Sequence, residues 1–211
     1  MLWIITGITT SYLIGSIPTA YIFCRLLKGE DIRKVGSGNV GATNALRVLG
    51  KGWGITVLIL DILKGAIPVI IIGDILAAKI FFLTDEQIRV IIGFCCIAGH
   101  NWTIFLNFKG GKGVATTIGV LMGLAFTVSG LNVVLGLLLL TWILVFLISR
   151  IVSLASIIAF AALPIYAIIF RQSKFLITAS AILAILAIIR HKANLKRLLQ
   201  GKEPRLSFKK S

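Results

Sequence analysis

The chain has 211 residues, of which 58% are hydrophobic and only 14% charged, and its mean hydropathy is +1.02. A soluble domain averages roughly 45–50% apolar and about 25% charged residues, and a domain this short keeps much of its surface in water, so the apolar excess excludes a water-soluble fold. The formal net charge of +15 would suit nucleic acid, but the basic residues lie between the apolar runs, which is the positive-inside pattern and argues against nucleic acid as a partner.

A transmembrane helix needs about 20 apolar residues, with roughly 17–25 the usual range. Seven runs qualify as predicted spans, over 2–25, 53–76, 88–107, 113–129, 132–149, 153–170 and 175–190, followed by a tail over 191–211. The expected fold class is all-α, a polytopic membrane protein of one transmembrane domain. Isolated strands in lipid would leave backbone groups unpaired. The first run, Leu2 to Leu27, has no basic region before it and exceeds the roughly 7–15 residues of a signal-peptide core, so it reads as a retained span. The fourth and fifth runs abut at Ser129-Gly130-Leu131-Asn132 and predict a tight hairpin. Seventeen of the 22 Lys and Arg fall on one side of this arrangement, four on the other, and Lys64 within a span. The richer side is cytoplasmic, which puts the N-terminus outside and the C-terminus inside. Cys24, Cys95 and Cys96 show neither metal-ligand nor disulfide spacing and read as membrane-buried thiols. No internal repeat is visible, which weakens an inverted-repeat transporter.

Chemistry concentrates in polar segments on the predicted cytoplasmic side. The first, after span 1, is Gly36-Ser37-Gly38-Asn39-Val40-Gly41-Ala42-Thr43-Asn44-Ala45-Leu46-Arg47. Glycines open backbone N–H groups into an anion-binding nest. Ser37, Thr43 and Asn44 add donors, and Arg47 adds a bidentate fork suited to phosphate. The segment also matches G-x-G-x-x-G, but a membrane helix precedes it where a dinucleotide fold requires a strand. Within span 2, Asp61 and Lys64 share a helix face. An internal salt bridge is the simplest reading, with support for the first segment as a further role.

The second segment is Gly99-His100-Asn101-Trp102 with Phe105 and Phe108-Lys109-Gly110-Gly111-Lys112-Gly113-Val114-Ala115-Thr116-Thr117. It lacks the Ser or Thr after Lys and the upstream Gly of a Walker loop. What remains is a loop with two lysines opening a helix, a sound phosphate site in itself. Trp102, Phe105 and Phe108 read as interfacial aromatics. The third segment, Arg150-Ile151-Val152-Ser153-Leu154-Ala155-Ser156, reads on its own as an anchor charge with packing serines. The fourth is Arg190-His191-Lys192-Ala193-Asn194-Leu195-Lys196-Arg197, then Gly201 and Glu203. His191 and Asn194 share a face at i, i+3, and His titrates near neutral pH. The tail is amphipathic, with Leu195, Leu198 and Leu199 against Lys192, Lys196 and Arg197. It reads equally as a surface helix or a solvated anchor. A transport path would place its polar groups near the bilayer midplane, where these spans are poor in them.

Taken together, the segments resemble the bacterial acyl-phosphate:glycerol-3-phosphate acyltransferase family of PlsY type. The carriers are Gly36–Arg47, Asp61-Ile62-Leu63-Lys64-Gly65, Gly99-His100 with Phe108–Thr116, Arg150–Ser156, His191–Leu199 and Gly15-Ser16-Ile17-Pro18-Thr19. The resemblance leads one to expect a proline near Thr103, and this chain has none there. It implies seven spans, an active site at the cytoplasmic face of the bacterial inner membrane, and acyl phosphate and glycerol 3-phosphate as substrates. The products would be lysophosphatidate and phosphate. Neither His-x4-Asp, since Phe105 follows His100 and Lys196 follows His191 at that spacing, nor a Gly-x-Ser-x-Gly elbow is present. The expected chemistry is therefore positioning and charge stabilisation around an already activated donor. Ser37, Gly38, Asn39, Gly41, Ala42, Thr43 and Asn44 are expected to hold the acyl phosphate. Arg47, Lys112, Arg150, Ser153, His191 and Asn194 are expected to hold glycerol 3-phosphate. Ser37, Arg47, Lys112 and His191 are the expected catalytic groups, with the departing phosphate and His191 as alternative proton acceptors. No cofactor or metal is expected, membrane lipid is the surrounding partner, and a monomer is expected. The competing readings are an organic-anion transporter and a non-catalytic scaffold.

Overall fold

Proline lacks an N–H and crowds the residue before it out of the helical region. In the computed structural model, which describes residues 1–206, helix α1 (Leu2–Ser16) accordingly stops at Ile17, whose φ and ψ are −56° and 114°. Helix α2 (Thr19–Lys28) begins after Pro18. The run over 2–25, expected as one continuous span, is thus two helices. Hydropathy averages across such a break, whereas the backbone cannot. Lys209 and Lys210, counted on the basic side, lie outside the described residues.

Helix α3 (Ala42–Leu49) follows the first glycine loop, and α4 (Lys51–Ala77) follows Gly50. Helix α5 (Asp85–Asn101) opens on a capping box, in which the Thr84 hydroxyl accepts from the Gln87 amide and the Gln87 side chain accepts from the Thr84 amide. This satisfies two N–H groups that a helix start leaves open. A 3-10 turn (Ile104–Leu106) and the second glycine loop lead to α6 (Val114–Ala125). Helices α7 (Leu131–Ser149), α8 (Val152–Ile169), α9 (Lys174–Arg190) and α10 (Lys192–Leu199) complete the chain, and no strand occurs among the described residues.

The chain divides into two compact units, residues 1–128 and residues from 129 onward, at the Ser129-Gly130-Leu131-Asn132 link. In the first unit α4 packs along α6 and against α3 and α5, while α1 lies on α5. In the second, α8 packs against both α7 and α9. Helix α4, α5 with its 3-10 extension, α7 and α8 are long and apolar enough to cross a membrane, and α9 with α10 qualifies only as a pair bent by 61°. Leu140, Ile143, Leu144, Leu147 and Ile148 on α7 and Ile165, Ile168 and Ile169 on α8 are exposed, the mark of helices solvated by lipid rather than water. The chain is a multi-pass membrane protein. Helix α6, expected over 113–129, is 12 residues long, and α1 has 15.

Close approach of backbones holds the first unit together. A Cβ on Gly65 would strike the Thr116 carbonyl, and one on Gly119 would strike the Ile62 carbonyl, so α4 and α6 meet through paired small residues. Gly119→Val is expected to lower the thermal midpoint in detergent by the equivalent of about 1–3 kcal/mol through overpacking. Gly136→Ala, at a position with open space around it, is expected to leave the midpoint unchanged.

Candidate active site

The first glycine loop is shaped from within. Gly36 and Gly38 take φ of +60° and +71°, a region that L side chains rarely adopt. Asn44 is fully buried, and its carbonyl oxygen accepts from the Ser37 amide at 2.8 Å. Its amide donates to the Ile32 and Val35 carbonyls at 3.2 and 3.1 Å. Asn44, expected as a substrate donor, is therefore engaged in holding the loop, and so is the Ser37 amide. The amides of Asn39, Gly41, Ala42 and Thr43 have no acceptor among the described residues, and they open at the start of α3 where an anion is favoured. The Asn39 amide group lies over Gly41. Ser37 is exposed, as is Arg47 in the last turn of α3. Ile32, Val40 and Ala45 seat the loop in an apolar cluster with Ala20, Cys24, Val57 and Leu106. At the entry to the loop the Arg33 guanidinium hydrogen-bonds Asp31 and adds its charge, holding that carboxyl at about 2.

The second glycine loop folds back on the end of α5. The Gly111 amide donates to the His100 carbonyl at 3.0 Å and the Gly110 amide to the Asn101 carbonyl at 3.2 Å. A Cβ on Gly111 would collide with His100 Nε2 and press on the Val40 carbonyl, so both glycine loops pass beside the His100 ring. Lys112 is half-buried one residue before the Gly113 cap of α6. Thr103, near which the resemblance led one to expect proline, caps the 3-10 turn by accepting from the Phe105 amide and donates to the Ser16 carbonyl at 2.5 Å. The neighbouring Tyr12 hydroxyl donates to the Trp102 carbonyl at 2.6 Å. Trp102, Phe105 and Phe108 are exposed.

Under these loops lies a polar cluster that no segment taken alone had singled out as a site. Asp61 Oδ1 accepts from Thr19 Oγ1 at 2.7 Å and pairs with Lys64 Nζ at 2.8 Å, with His100 Nδ1 at 3.8 Å. Lys64 Nζ also donates to the Ile17 carbonyl at 2.9 Å. Asp61 and Lys64 thus form the internal salt bridge expected from their spacing, and it is tied to the break at Pro18. Ser16, Ile17, Pro18, Thr19, Val40, Lys64, His100 and Thr103 line a narrow cleft there.

In the second unit, Arg150 caps α7 in the left-handed region with φ of 59°, and its carbonyl accepts from the Leu206 amide at 2.8 Å. Gly201 and Lys202 close α10 with amides on the Leu198 and Arg197 carbonyls, a left-handed turn that sends the tail back. Glu203 then accepts from Ser153 Oγ at 2.7 Å and Asn194 Nδ2 at 2.6 Å on one oxygen, and from Arg197 Nε at 2.7 Å on the other. The structure therefore brings Arg150, Ser153 and Asn194 together through the tail. His191 is buried at the α9–α10 bend, with Nδ1 2.7 Å from the Ala187 carbonyl. A carbonyl can only accept, so Nδ1 carries hydrogen, and in the neutral ring Nε2 is the basic nitrogen. Glu203 had no assigned role in the sequence reading. Its signal was composition: it is the only acid after Glu86.

Residues 5–201 match the family Glycerol-3-phosphate acyltransferase. A relative of that name from Synechococcus sp. (strain CC9902) is 42% identical over 198 residues, covering 94% of this chain and 92% of its own. A crystal structure of PlsY (YgiH), an integral membrane glycerol 3-phosphate acyltransferase in its glycerol 3-phosphate form, superposes with a TM-score of 0.85 at 36% identity, covering 97% of this chain and 96% of its own. The lysophosphatidic acid form gives a TM-score of 0.82 at 33% identity, covering 97% and 95%. The fold, the glycine loops and these matches place the chain in the class of integral membrane acyltransferases. It belongs to the glycerol-3-phosphate acyltransferase family.

Two outcomes test the local geometry. Asn44→Ala strands the Ile32 and Val35 carbonyls and frees the Ser37 amide, so a stability loss of about 1–3 kcal/mol is expected in thermal unfolding, with faster hydrogen exchange at Ser37. For Glu203, burial pushes the carboxyl up, but hydrogen bonds from Ser153, Asn194 and Arg197 outweigh it and hold the carboxyl below its ordinary range. A lowered pKa contributes stability in full above the unfolded value of about 4.3, and that contribution is lost as pH falls through the folded value. A spin label on Arg205→Cys is expected to be immobile at neutral pH and mobile in acid. Glu203→Gln is expected to mobilise it already at neutral pH.

Proposed function

We propose that the chain transfers a fatty acyl group from acyl phosphate to the 1-position of glycerol 3-phosphate, yielding lysophosphatidate and inorganic phosphate for phospholipid synthesis. The reaction takes place at the cytoplasmic face of the bacterial inner membrane. Seven crossings, with the N-terminus outside and the C-terminus inside, are the topology that goes with it; the excess of Lys and Arg on one side supports it. The observation that carries the reading is the meeting of both glycine loops at His100 in the first unit, with open amides at the start of α3 on one loop and Lys112 on the other. The forms in which the two solved neighbours are described, with glycerol 3-phosphate and with lysophosphatidic acid, match the acceptor and the product.

In this reading Ser37, Gly38, Asn39, Gly41, Ala42, Thr43 and Asn44 serve the phosphate of the donor, some through open amides and Asn44 by fixing their directions. Arg47 and Lys112 in the first unit, and Arg150, Ser153, His191 and Asn194 in the second, serve glycerol 3-phosphate. The acceptor hydroxyl oxygen attacks the acyl carbon, the bond from that carbon to the phosphate oxygen breaks, and the hydroxyl proton passes to the departing phosphate or to His191 Nε2. Acyl phosphate is already activated, so alignment and charge stabilisation supply the acceleration.

Purified protein with acyl phosphate and glycerol 3-phosphate is expected to form lysophosphatidate, and acyl-CoA in place of acyl phosphate is expected to give none. Anion flux into liposomes without product would instead establish a transporter. Arg47→Ala and Lys112→Ala are each expected to reduce kcat/KM by about 10²-fold, the scale of a lost positioning contact. Wild-type turnover and affinity in both would remove these residues from the site. If His191 is the base, His191→Gln abolishes the pH dependence of turnover while affinity is kept; an unchanged pH profile assigns the proton to phosphate.

A further inference from the structure

The Asp61–Lys64–His100 cluster lies outside the residues assigned to either substrate, yet it meets the end of α1, the start of α2 and the second glycine loop. Asp61 and Lys64 are both almost fully buried in α4. Leaving a carboxylate and an ammonium inside an apolar helix is costly unless each is paired and hydrogen-bonded, and here each group has a second partner from another segment. Asp61 takes the Thr19 hydroxyl and Lys64 takes the Ile17 carbonyl, so the pair clamps the helix break at Pro18. The third member, His100, presents Nδ1 toward Asp61. Its opposite edge, Nε2, meets the backbone of Gly111, which also abuts the Val40 carbonyl of the first loop.

A buried salt bridge used only for helix packing would not explain why the imidazole stands between the pair and a loop too tight to admit a methyl group. We infer that His100, held between Asp61 and Gly111, is a positioning residue that sets the loop carrying Lys112 against the loop at 36–41. It acts through the backbone of Gly110 and Gly111 and touches no substrate. This rests on the reading of Lys112 as a glycerol 3-phosphate contact. Asp61 faces the ring at Nδ1 from 3.8 Å, the ring wall at Nε2 bounds the path of Gly111, and the Gly110 and Gly111 amide hydrogen bonds to the Asn101 and His100 carbonyls complete the register.

The test compares His100→Ala, His100→Asn and His100→Gln. Asparagine reproduces the Nδ1 edge only, whereas the longer glutamine reaches the Nε2 edge. His100→Ala and His100→Asn are expected to raise KM for glycerol 3-phosphate and cut kcat/KM by about 10²-fold, with His100→Gln recovering part of the loss. In a double-mutant cycle, His100→Ala placed on Lys112→Ala is expected to add little, because both act through one contact. Losses that multiply in the double variant overturn the inference. A second measurement is independent of turnover: hydrogen exchange at the Gly110 and Gly111 amides is expected to quicken by about tenfold in His100→Asn at an unchanged thermal midpoint. Unchanged exchange at both amides in a folded His100 variant overturns the inference even when the wild-type protein forms lysophosphatidate from acyl phosphate. Faster exchange in a protein that forms no lysophosphatidate supports the loop setting while removing the proposed reaction.

Discussion

Asp61 is a carboxylate in the interior of an apolar helix, and its need for partners organises the first unit. Lipid offers no water to solvate it, so Lys64 must neutralise it and Thr19 must hydrogen-bond it. The Thr19 bond draws α2 onto α4, and the Lys64 bond to Ile17 brings in the end of α1. The interruption at Pro18 thereby becomes a fixed corner rather than a loose joint. Glycine at 65 and 119 lets α6 approach the same stretch of α4, and α6 in turn fixes where the loop before it must start.

The second unit solves a parallel problem with opposite charges. Its polar end is rich in cations and amides, and one carboxylate, Glu203, gathers Ser153, Asn194 and Arg197. The single hydroxyl proton of Ser153 and one N–H of Asn194 are thus committed to Glu203, which orders both side chains. His191 is fixed in the same manner by the Ala187 carbonyl, which leaves its basic nitrogen defined.

Much of this was legible in the residues. Hydropathy marked the apolar runs, and glycine with Arg47, Lys112 and Arg150 marked the polar segments, because composition and charge are local properties. Asp61 and Lys64 were legible as a pair because three-residue spacing shares a helix face. The break at Ile17 was missed because the run stays apolar across Pro18, and a window average cannot see one missing N–H. Asn44 reads from sequence as a donor for substrate, and only the fold shows its amide turned inward to Ile32 and Val35. His100 and Glu203 depend on partners at residue separations of 39 and 50, which no local pattern encodes.

The brevity of α6 carries a consequence for the host membrane. Twelve residues of helix cover about 18 Å, against roughly 30 Å of hydrocarbon. As one of the proposed crossings, α6 would need irregular backbone to fill the shortfall, or a bilayer thinned around it. Non-helical chain at such depth is tolerated only when protein encloses it, and the burial of Gly111 and Gly113, with the Gly110 and Gly111 amides hydrogen-bonded to the Asn101 and His100 carbonyls, meets that condition. An enclosed turn of this kind, bearing Lys112, can lie deeper in a bilayer than an exposed loop could. Under the proposed topology, bilayer thickness, set by lipid chain length, would bear on the geometry of the turn that carries Lys112.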